Sequence, residues 1–333
     1  MTVIVSGATG YIAQHVIKEL LKENYTVIGT VRSEAKGEHL SSLFNSPQFS
    51  YVVVPDMIAE GAFDEVLKAN KDVDCFIHTA SPVDFQIKDV EAGLVKPAVE
   101  GTKNVLNAIE KYGNVKNIVV TSSTAAVRDS SGNRDPNEWI TEKTWNKITL
   151  EQGLVSGRLG YDVAKTLAET EVWKFAENHK NDFTVTTVNP TFVFGPQAFE
   201  IVNKDKLNES AEIVNRVLKL KSTDELPHHV GRSIDVRDVA RAHVEAIKRP
   251  KEFNGERLIL LNTGCTSELI ASVINKHFPD VDIPKGSLQK HEEQLKAEDM
   301  KWDNSRTKAL LNFEFSPVEE SIVDTVKQIL EAK

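Results

Sequence analysis

The first thirteen residues constrain this chain most. An apolar run, Val3-Ile4-Val5, passes directly into Ser6-Gly7-Ala8-Thr9-Gly10-Tyr11-Ile12-Ala13 and then into a helical pattern. A buried strand handing over to a helix through a glycine turn leaves free N–H groups at the helix N-terminus. Gly7 can take the backbone angles of the turn, and Gly10 carries no Cβ to keep a pyrophosphate away. The stripe Ile12, Val16, Ile17, Leu20 and Leu21 supports the helix, and Tyr25-Thr26-Val27-Ile28-Gly29 reads as a second strand. The spacing G-x-x-G-x-x-A is one glycine short of the commonest dinucleotide fingerprint. A tight turn that needs glycine for sterics alone is the other reading.

Strand-like runs at 2–6, 25–30, 51–54, 73–79, 116–121 and 183–188 alternate with helical patterns near 11–23, 61–69, 90–112 and 161–179. That rhythm predicts an α/β fold with a doubly wound parallel sheet of the Rossmann type. Two polar stretches interrupt it, 128–160 and 195–231, and long departures of this kind usually build a substrate site. A strand-to-helix unit returns from Ser233 to Ile247, and beyond Leu261 the pattern is helical and charged. The expected division is therefore a nucleotide-binding domain of 1–192 plus 232–262, and a smaller discontinuous C-terminal substrate lobe of 193–231 plus 263–333.

Charge narrows the partners. With 40 Lys and Arg against 49 Asp and Glu, and no basic block, nucleic acid is not expected. Two cysteines, Cys75 and Cys265, are too few for a disulfide framework and fit a reducing compartment. The first core strand follows Met1 almost at once, which leaves no room for a targeting peptide, and no apolar run approaches a membrane span. A cytoplasmic protein is the expectation. His228 with His229, and His78 alone, offer no metal-ligand spacing.

An NAD site usually carries Asp or Glu at the end of the second strand, about twenty residues after the glycine turn. Here that position reads Gly29-Thr30-Val31-Arg32-Ser33, without a carboxylate. Arg32 and Lys36 offer two cations to a 2′-phosphate, which favours NADPH, although both could equally be solvated charges at a helix start. Asp56, after Pro55, stands where such folds contact adenine, or serves as a turn aspartate.

Tyr161-Asp162-Val163-Ala164-Lys165 sets a phenol and an ammonium at i and i+4 of one helix. Ala164, Ala168, Val172 and Phe175 form the face that should pack on the sheet, and Tyr161 and Lys165 fall within or beside it. A lysine aimed at the core needs partners. The hydroxyls of a nicotinamide ribose would supply them, and the ammonium would lower the phenol's pKa, making Tyr161 a proton donor to a carbonyl oxygen. Asn117-Ile118-Val119-Val120-Thr121-Ser122-Ser123 is a buried strand ending in hydroxyls where ligands bind in this architecture, and Ser123 could bond the same carbonyl.

Together these motifs resemble the extended short-chain dehydrogenase/reductase family, in its dihydroflavonol-reductase-like branch, over essentially the whole chain. Further matches are His78-Thr79-Ala80-Ser81-Pro82, Asn189-Pro190, Phe194-Gly195-Pro196 and Asp235-Val236-Arg237-Asp238-Val239-Ala240. The resemblance implies reduction of small aldehydes and ketones, methylglyoxal and isovaleraldehyde among them, with hydride from NADPH. It implies Ser123, Tyr161 and Lys165 as catalytic residues. Gly7, Ala8, Thr9, Gly10, Tyr11, Ile12, Arg32, Lys36, Asp56, Met57, Tyr161, Lys165, Val193 and Ser210 would hold the cofactor. Phe85, Thr124, Arg128 and Phe192 would line the substrate, although Thr124 and Arg128 stand where the branch leads one to expect aromatic residues. Phe192 could instead be core, and Arg128 solvated. The competing functions are a sugar-nucleotide epimerase or dehydratase, which shares the Tyr/Lys pair but generally keeps an acid after strand two, and a nucleotide-sensing protein without catalysis. The oligomeric state is not legible.

Overall fold

The computed structural model describes every residue except 180, 181, 202, 205, 206, 299 and 333. Along the chain run β1 (Thr2–Ser6), α1 (Tyr11–Lys22), β2 (Thr26–Val31), α2 (Glu34–Phe44), β3 (Phe49–Val53), α3 (Asp64–Ala69), β4 (Val73–His78), α4 (Lys96–Tyr112) and β5 (Asn117–Thr121). Next come β6 (Trp139–Ile140), α5 (Leu150–Gly153), α6 (Gly157–Asn178), β7 (Thr184–Pro190), β8 (Phe192–Phe194), α7 (Glu209–Leu218), β9 (Val230–Asp235) and α8 (Val236–Lys248). The chain ends with α9 (Pro250–Phe253), β10 (Arg257–Leu260), β11 (Thr263–Thr266), α10 (Ser267–His277), α11 (Leu288–Ala297), β12 (Lys301–Trp302), α12 (Ser305–Leu311) and α13 (Val318–Glu331).

Two compact units emerge: 1–190 with 240–259 and 302–312, and 191–239 with 260–301 and 313–333. The first unit holds the Rossmann-type sheet, in the order β10-β7-β5-β4-β1-β2-β3. Strand β1 lies between β2 and β4, parallel to both. Val3, Ile4 and Val5 are fully buried, as an uninterrupted apolar run demands of a strand covered on both faces. Because the strand order reverses between β1 and β4, their carboxyl ends flank the crevice where ligands bind in open α/β sheets. On one face α3, α4 and α6 contribute Phe63, Leu67, Val105, Ile109, Val172 and Phe175 to a single apolar cluster with Ile4, Phe76 and Ile118.

The second unit has its own core, with Phe194, Val214, Val217, Ile270, Ile274, Ile322 and Val326 packed together. Its three-stranded sheet runs β11-β9-β8. The boundaries of these units depart from the sequence division at 191–192, 232–239, 260–262 and 302–312, and two of these have a clear cause. Strand β9 gives its hydrogen bonds to β8 and β11, so residues 232–239 belong to the second unit. Segment 302–312 joins the first unit, where the Thr307 hydroxyl accepts from Ile259 N at 3.0 Å and donates to Glu142 Oε1 at 2.7 Å.

Candidate active site

Gly7 sits at φ +66°, in the left-handed region that glycine enters without a Cβ penalty. A Cβ there would stand 3.0 Å from Ala80. Its N–H donates to Thr30 Oγ1 at 3.2 Å, Ala8 N donates to Thr30 O at 3.0 Å, and Gly10 N closes the turn on Gly7 O at 2.8 Å. Helix α1 then starts from Gly10 without a side-chain cap, so its first N–H groups, from Tyr11, Ile12 and Ala13, remain for a ligand. Thr9 and Gly10 are exposed and Ala8 is buried. Across the switch point, Ser6 ties the two strand ends together. Its hydroxyl lies 2.8 Å from His78 Nδ1 and accepts from Thr79 N and Ala80 N, while Thr79 Oγ1 donates to Ser6 O.

Arg32 and Lys36 are both exposed, directly after β2 and in the first turn of α2. Among the described residues neither pairs with a carboxylate. Asp56 performs the turn role, accepting from Ile58 N at 3.0 Å on an exposed side chain. Met57 packs its side chain against α4 at Gly101, where a Cβ would come within 2.1 Å of Met57 Cε, and its carbonyl accepts from Asn104.

Helix α6 starts at a Ser156 cap, whose hydroxyl accepts from Leu159 N. Two glycines let its first turn press against the chain at 85–90: a Cβ on Gly157 would fall 2.2 Å from Phe85 O, and one on Gly160 2.1 Å from Val90 Cγ1. Phe85 thereby meets the Tyr161 ring edge to face at 5.4 Å. The Ser123 hydroxyl accepts from Ala125 N at 3.1 Å, donates to Pro190 O at 3.5 Å and acts to lower the Tyr161 phenol. Lys165 is 6 % exposed, donates to Thr121 O at 3.1 Å and stands 6.0 Å from the Tyr161 ring centre. The sequence had therefore put both side chains on the correct face of α6.

One expectation changes. Burial pushes the phenol of Tyr161 up to about 12, and the lowering influence is the hydrogen bond from Ser123 rather than the ammonium. Lys165 Nζ is engaged by a backbone carbonyl one strand away. Burial also pulls Lys165 down to about 8, against the opposing pull of Glu169, and holds His78 neutral at about 3. Together these give an acid that keeps its proton at neutral pH beside a cation close to its own titration point.

The residues expected along the substrate are distributed unevenly. Thr124 is half-buried and donates to Pro190 O at 3.4 Å. Arg128 is half-buried and lies 3.5 Å from the buried carboxylate of Asp162, so it is ion-paired rather than simply solvated. Phe192, Val193 and Ser210 belong to the second unit. There Phe192 packs edge to face on His229 at 5.0 Å, and Val193 and Ser210 are buried.

Sequence reasoning missed Glu169 and Arg257. Glu169 is 1 % exposed, one turn beyond Lys165 on the same face of α6. Its Oε1 accepts from Arg257 Nε at 2.6 Å, Trp173 Nε1 at 3.0 Å and Thr187 Oγ1 at 3.2 Å, and its Oε2 accepts from Ser122 Oγ at 2.5 Å and Asn189 Nδ2 at 2.7 Å. The argument that exposed Lys165 as anomalous applies to Glu169 without change, since 161, 165 and 169 share a face.

A sequence profile of the NAD dependent epimerase/dehydratase family matches residues 3–260. The NADPH-dependent methylglyoxal reductase of Saccharomyces cerevisiae is 41 % identical, over 99 % of this chain and 98 % of its own. The crystal structure of yeast methylglyoxal/isovaleraldehyde reductase Gre2 complexed with NADPH superposes with a TM-score of 0.93 at 40 % identity, covering 99 % of this chain and 98 % of that one. Gre2 of Candida albicans in complex with NADPH does so at 0.93 and 45 % identity, covering 100 % and 99 %. With the family profile covering residues 3–260 and full-length relatives above 40 % identity, the chain belongs to the NAD dependent epimerase/dehydratase family.

Proposed function

We propose that this protein is an NADPH-dependent reductase of small aldehydes and ketones, with methylglyoxal and isovaleraldehyde as its first candidate substrates. The observation that carries the reading is the cluster of buried Ser123 and Lys165 with half-buried Tyr161, in a chain 41 % identical over 99 % of its length to an NADPH-dependent methylglyoxal reductase. The residues fit the cofactor. At Gly7 a side chain would crowd Ala80 and be strained at φ +66°, so glycine keeps the turn open to a pyrophosphate. At the end of β2 two exposed cations replace the carboxylate that would repel a 2′-phosphate.

When bound, NADPH supplies the hydride that reduces the carbonyl carbon. Tyr161 donates the phenolic proton to the carbonyl oxygen, and Ser123 orients that oxygen by a hydrogen bond. Lys165, its Nζ 6.0 Å from the Tyr161 ring centre, offers donors to the ribose and so holds the cofactor beside the phenol. Gly7, Ala8, Thr9, Gly10, Tyr11 and Ile12 are the proposed pyrophosphate residues, Arg32 and Lys36 the 2′-phosphate residues, and Asp56 and Met57 the adenine residues. Phe85, Thr124 and Arg128 are proposed for the substrate; in the second unit Phe192 is proposed for the substrate and Val193 and Ser210 for the cofactor. With buried free thiols at Cys75 and Cys265, and no helix among the described residues long and apolar enough to cross a membrane, we assign the protein to the cytoplasm.

The test is oxidation of NADPH by the purified protein with methylglyoxal and with isovaleraldehyde, beside NADH and beside Tyr161→Phe. Turnover that prefers NADPH and drops by about 10²–10⁴ in the variant is expected of a lost general acid. Nucleotide binding without turnover of either aldehyde, or of a ketone panel, would overturn the reading in favour of a sensing protein or an epimerase.

A further inference from the structure

We propose that Glu169, clamped by Arg257, is a positioning residue for the carbonyl reduction assigned above: it fixes the strand end that carries Ser123 and supplies the negative charge that faces Lys165. The inference rests on that functional reading.

Three observations support it. First, Glu169 connects to the Ser123 segment by two routes. Ser122 Oγ donates to Glu169 Oε2 at 2.5 Å, and Asn189 Nδ2 donates both to that oxygen at 2.7 Å and to Ser123 O at 3.2 Å. Second, the buried carboxylate is held in place by Arg257, 7 % exposed, whose Nε donates to Oε1 at 2.6 Å. The same guanidinium donates to Glu142 O at 3.2 Å, Ala126 O at 3.2 Å and Thr144 O, and stacks 3.9 Å over Trp145. Each nitrogen of that fork makes at least one hydrogen bond, so Arg257 holds Glu169 from a fixed position.

Third, few other charges face Lys165. Lys165 and Glu169 line one small cavity with His78 and Thr102. From β4 comes His78, held neutral by burial; from α4 the Thr102 hydroxyl; from β5 the Thr121 carbonyl and the Ser122 hydroxyl; from α6 itself the Tyr161 phenol and Glu169. Arg257, from β10, points its charge into Glu169 and the backbone carbonyls. Among the described residues Glu169 is the one charge that acts appreciably on Lys165, and it favours the ammonium.

The test reads Lys165 directly. Lysine side chains are labelled with ¹³C at Cε in the protein without cofactor, and the Lys165 resonance is assigned by its loss in Lys165→Met. Its titration midpoint is then compared in wild type, Glu169→Gln and Glu169→Asp. The expected result is a midpoint at least one pH unit lower in Glu169→Gln, so that the ammonium population at a fixed alkaline pH falls about tenfold. The alkaline limb of NADPH-dependent aldehyde reduction should move down with it, and Glu169→Asp should restore most of both. Should Glu169→Gln fail to fold around an unpaired Arg257, the pair Glu169→Gln with Arg257→Gln removes both buried charges and is read in the same way. An unmoved midpoint in a folded variant overturns the proposal, as does a moved midpoint with an unmoved alkaline limb. Absence of aldehyde turnover in the wild type would instead overturn the functional reading, and the titration distinguishes the two because it needs no substrate.

Discussion

At the scale of single residues, the chemistry of this site follows from which polar groups are denied water. Tyr161 and Lys165 were legible in the sequence because a lysine on an apolar helical face is anomalous; Arg32 was legible because a carboxylate was missing where one usually stands. Glu169 was open to the same argument, four positions beyond Lys165 on α6, whereas Arg257 stayed hidden because its pairing with Glu169 spans 88 positions and no local pattern carries it. The exposed Arg32 carries a prediction of its own. Among the described residues its guanidinium has no carboxylate to release, so its full charge-assisted bonding is available to a phosphate. Arg32→Ser should raise the KM for NADPH roughly ten- to hundredfold, the range for losing hydrogen bonds to a charged group, while the KM for NADH stays nearly level. Parallel losses with both nucleotides would show that Arg32 is a surface residue.

At the scale of elements, strands and glycine turns were read well and weakly patterned helices were not. Helix α2 has only Gly37 and Leu40 buried, Gly37 lying under the Tyr51 ring, so it offers no apolar stripe to detect. Strand β9 looked like a return to the main sheet because its sequence is a strand followed by a helix. Its pairing with β8 and β11 depends on register with residues 192–194 and 263–266, far away along the chain, which no local pattern carries. The entry of α6 shows the converse, a geometric demand met by two small residues. Gly157→Ala places a methyl 2.2 Å from a backbone oxygen of Phe85, which cannot rotate away as a side chain would. The helix must retreat from Phe85, and overpacking of this kind costs about 1–3 kcal/mol. A urea midpoint lowered accordingly is expected; an unchanged midpoint would mean that the 85–90 segment yields at no cost.

At the scale of the whole molecule, stability acquires a pH dependence from the Asp235-Val236-Arg237-Asp238 motif, which the resemblance singled out without a role. In the second unit Arg237 is bonded to Asp235 at 2.8 Å and to Asp324 at 2.7 Å, and Ser321 donates to Asp235 at 2.7 Å, so the motif anchors α13. Asp238 accepts from Ser316 N at 2.7 Å and from Ser316 Oγ at 3.2 Å. Burial, aided by the neighbouring Asp235, nevertheless raises its carboxyl from 3.8 to about 6. A raised carboxyl means that the folded state binds the proton more tightly than the unfolded chain. Its contribution is fully present below pH 3.8 and is lost as pH rises through about 6. Asp238→Asn keeps an oxygen to accept from Ser316 N and lets Ser316 Oγ accept from the new amide, without a charge to desolvate. The variant should therefore be more stable than wild type at pH 7.5, by about 1–2 kcal/mol after discounting for partial solvent screening. That advantage should vanish near pH 4, where the wild-type carboxyl is protonated as well. Urea midpoints for both proteins across this range isolate the group, because every other titration is common to the pair. A difference that does not vary with pH would place the Asp238 carboxyl in its ordinary range and leave its contacts with Ser316 as the only contribution.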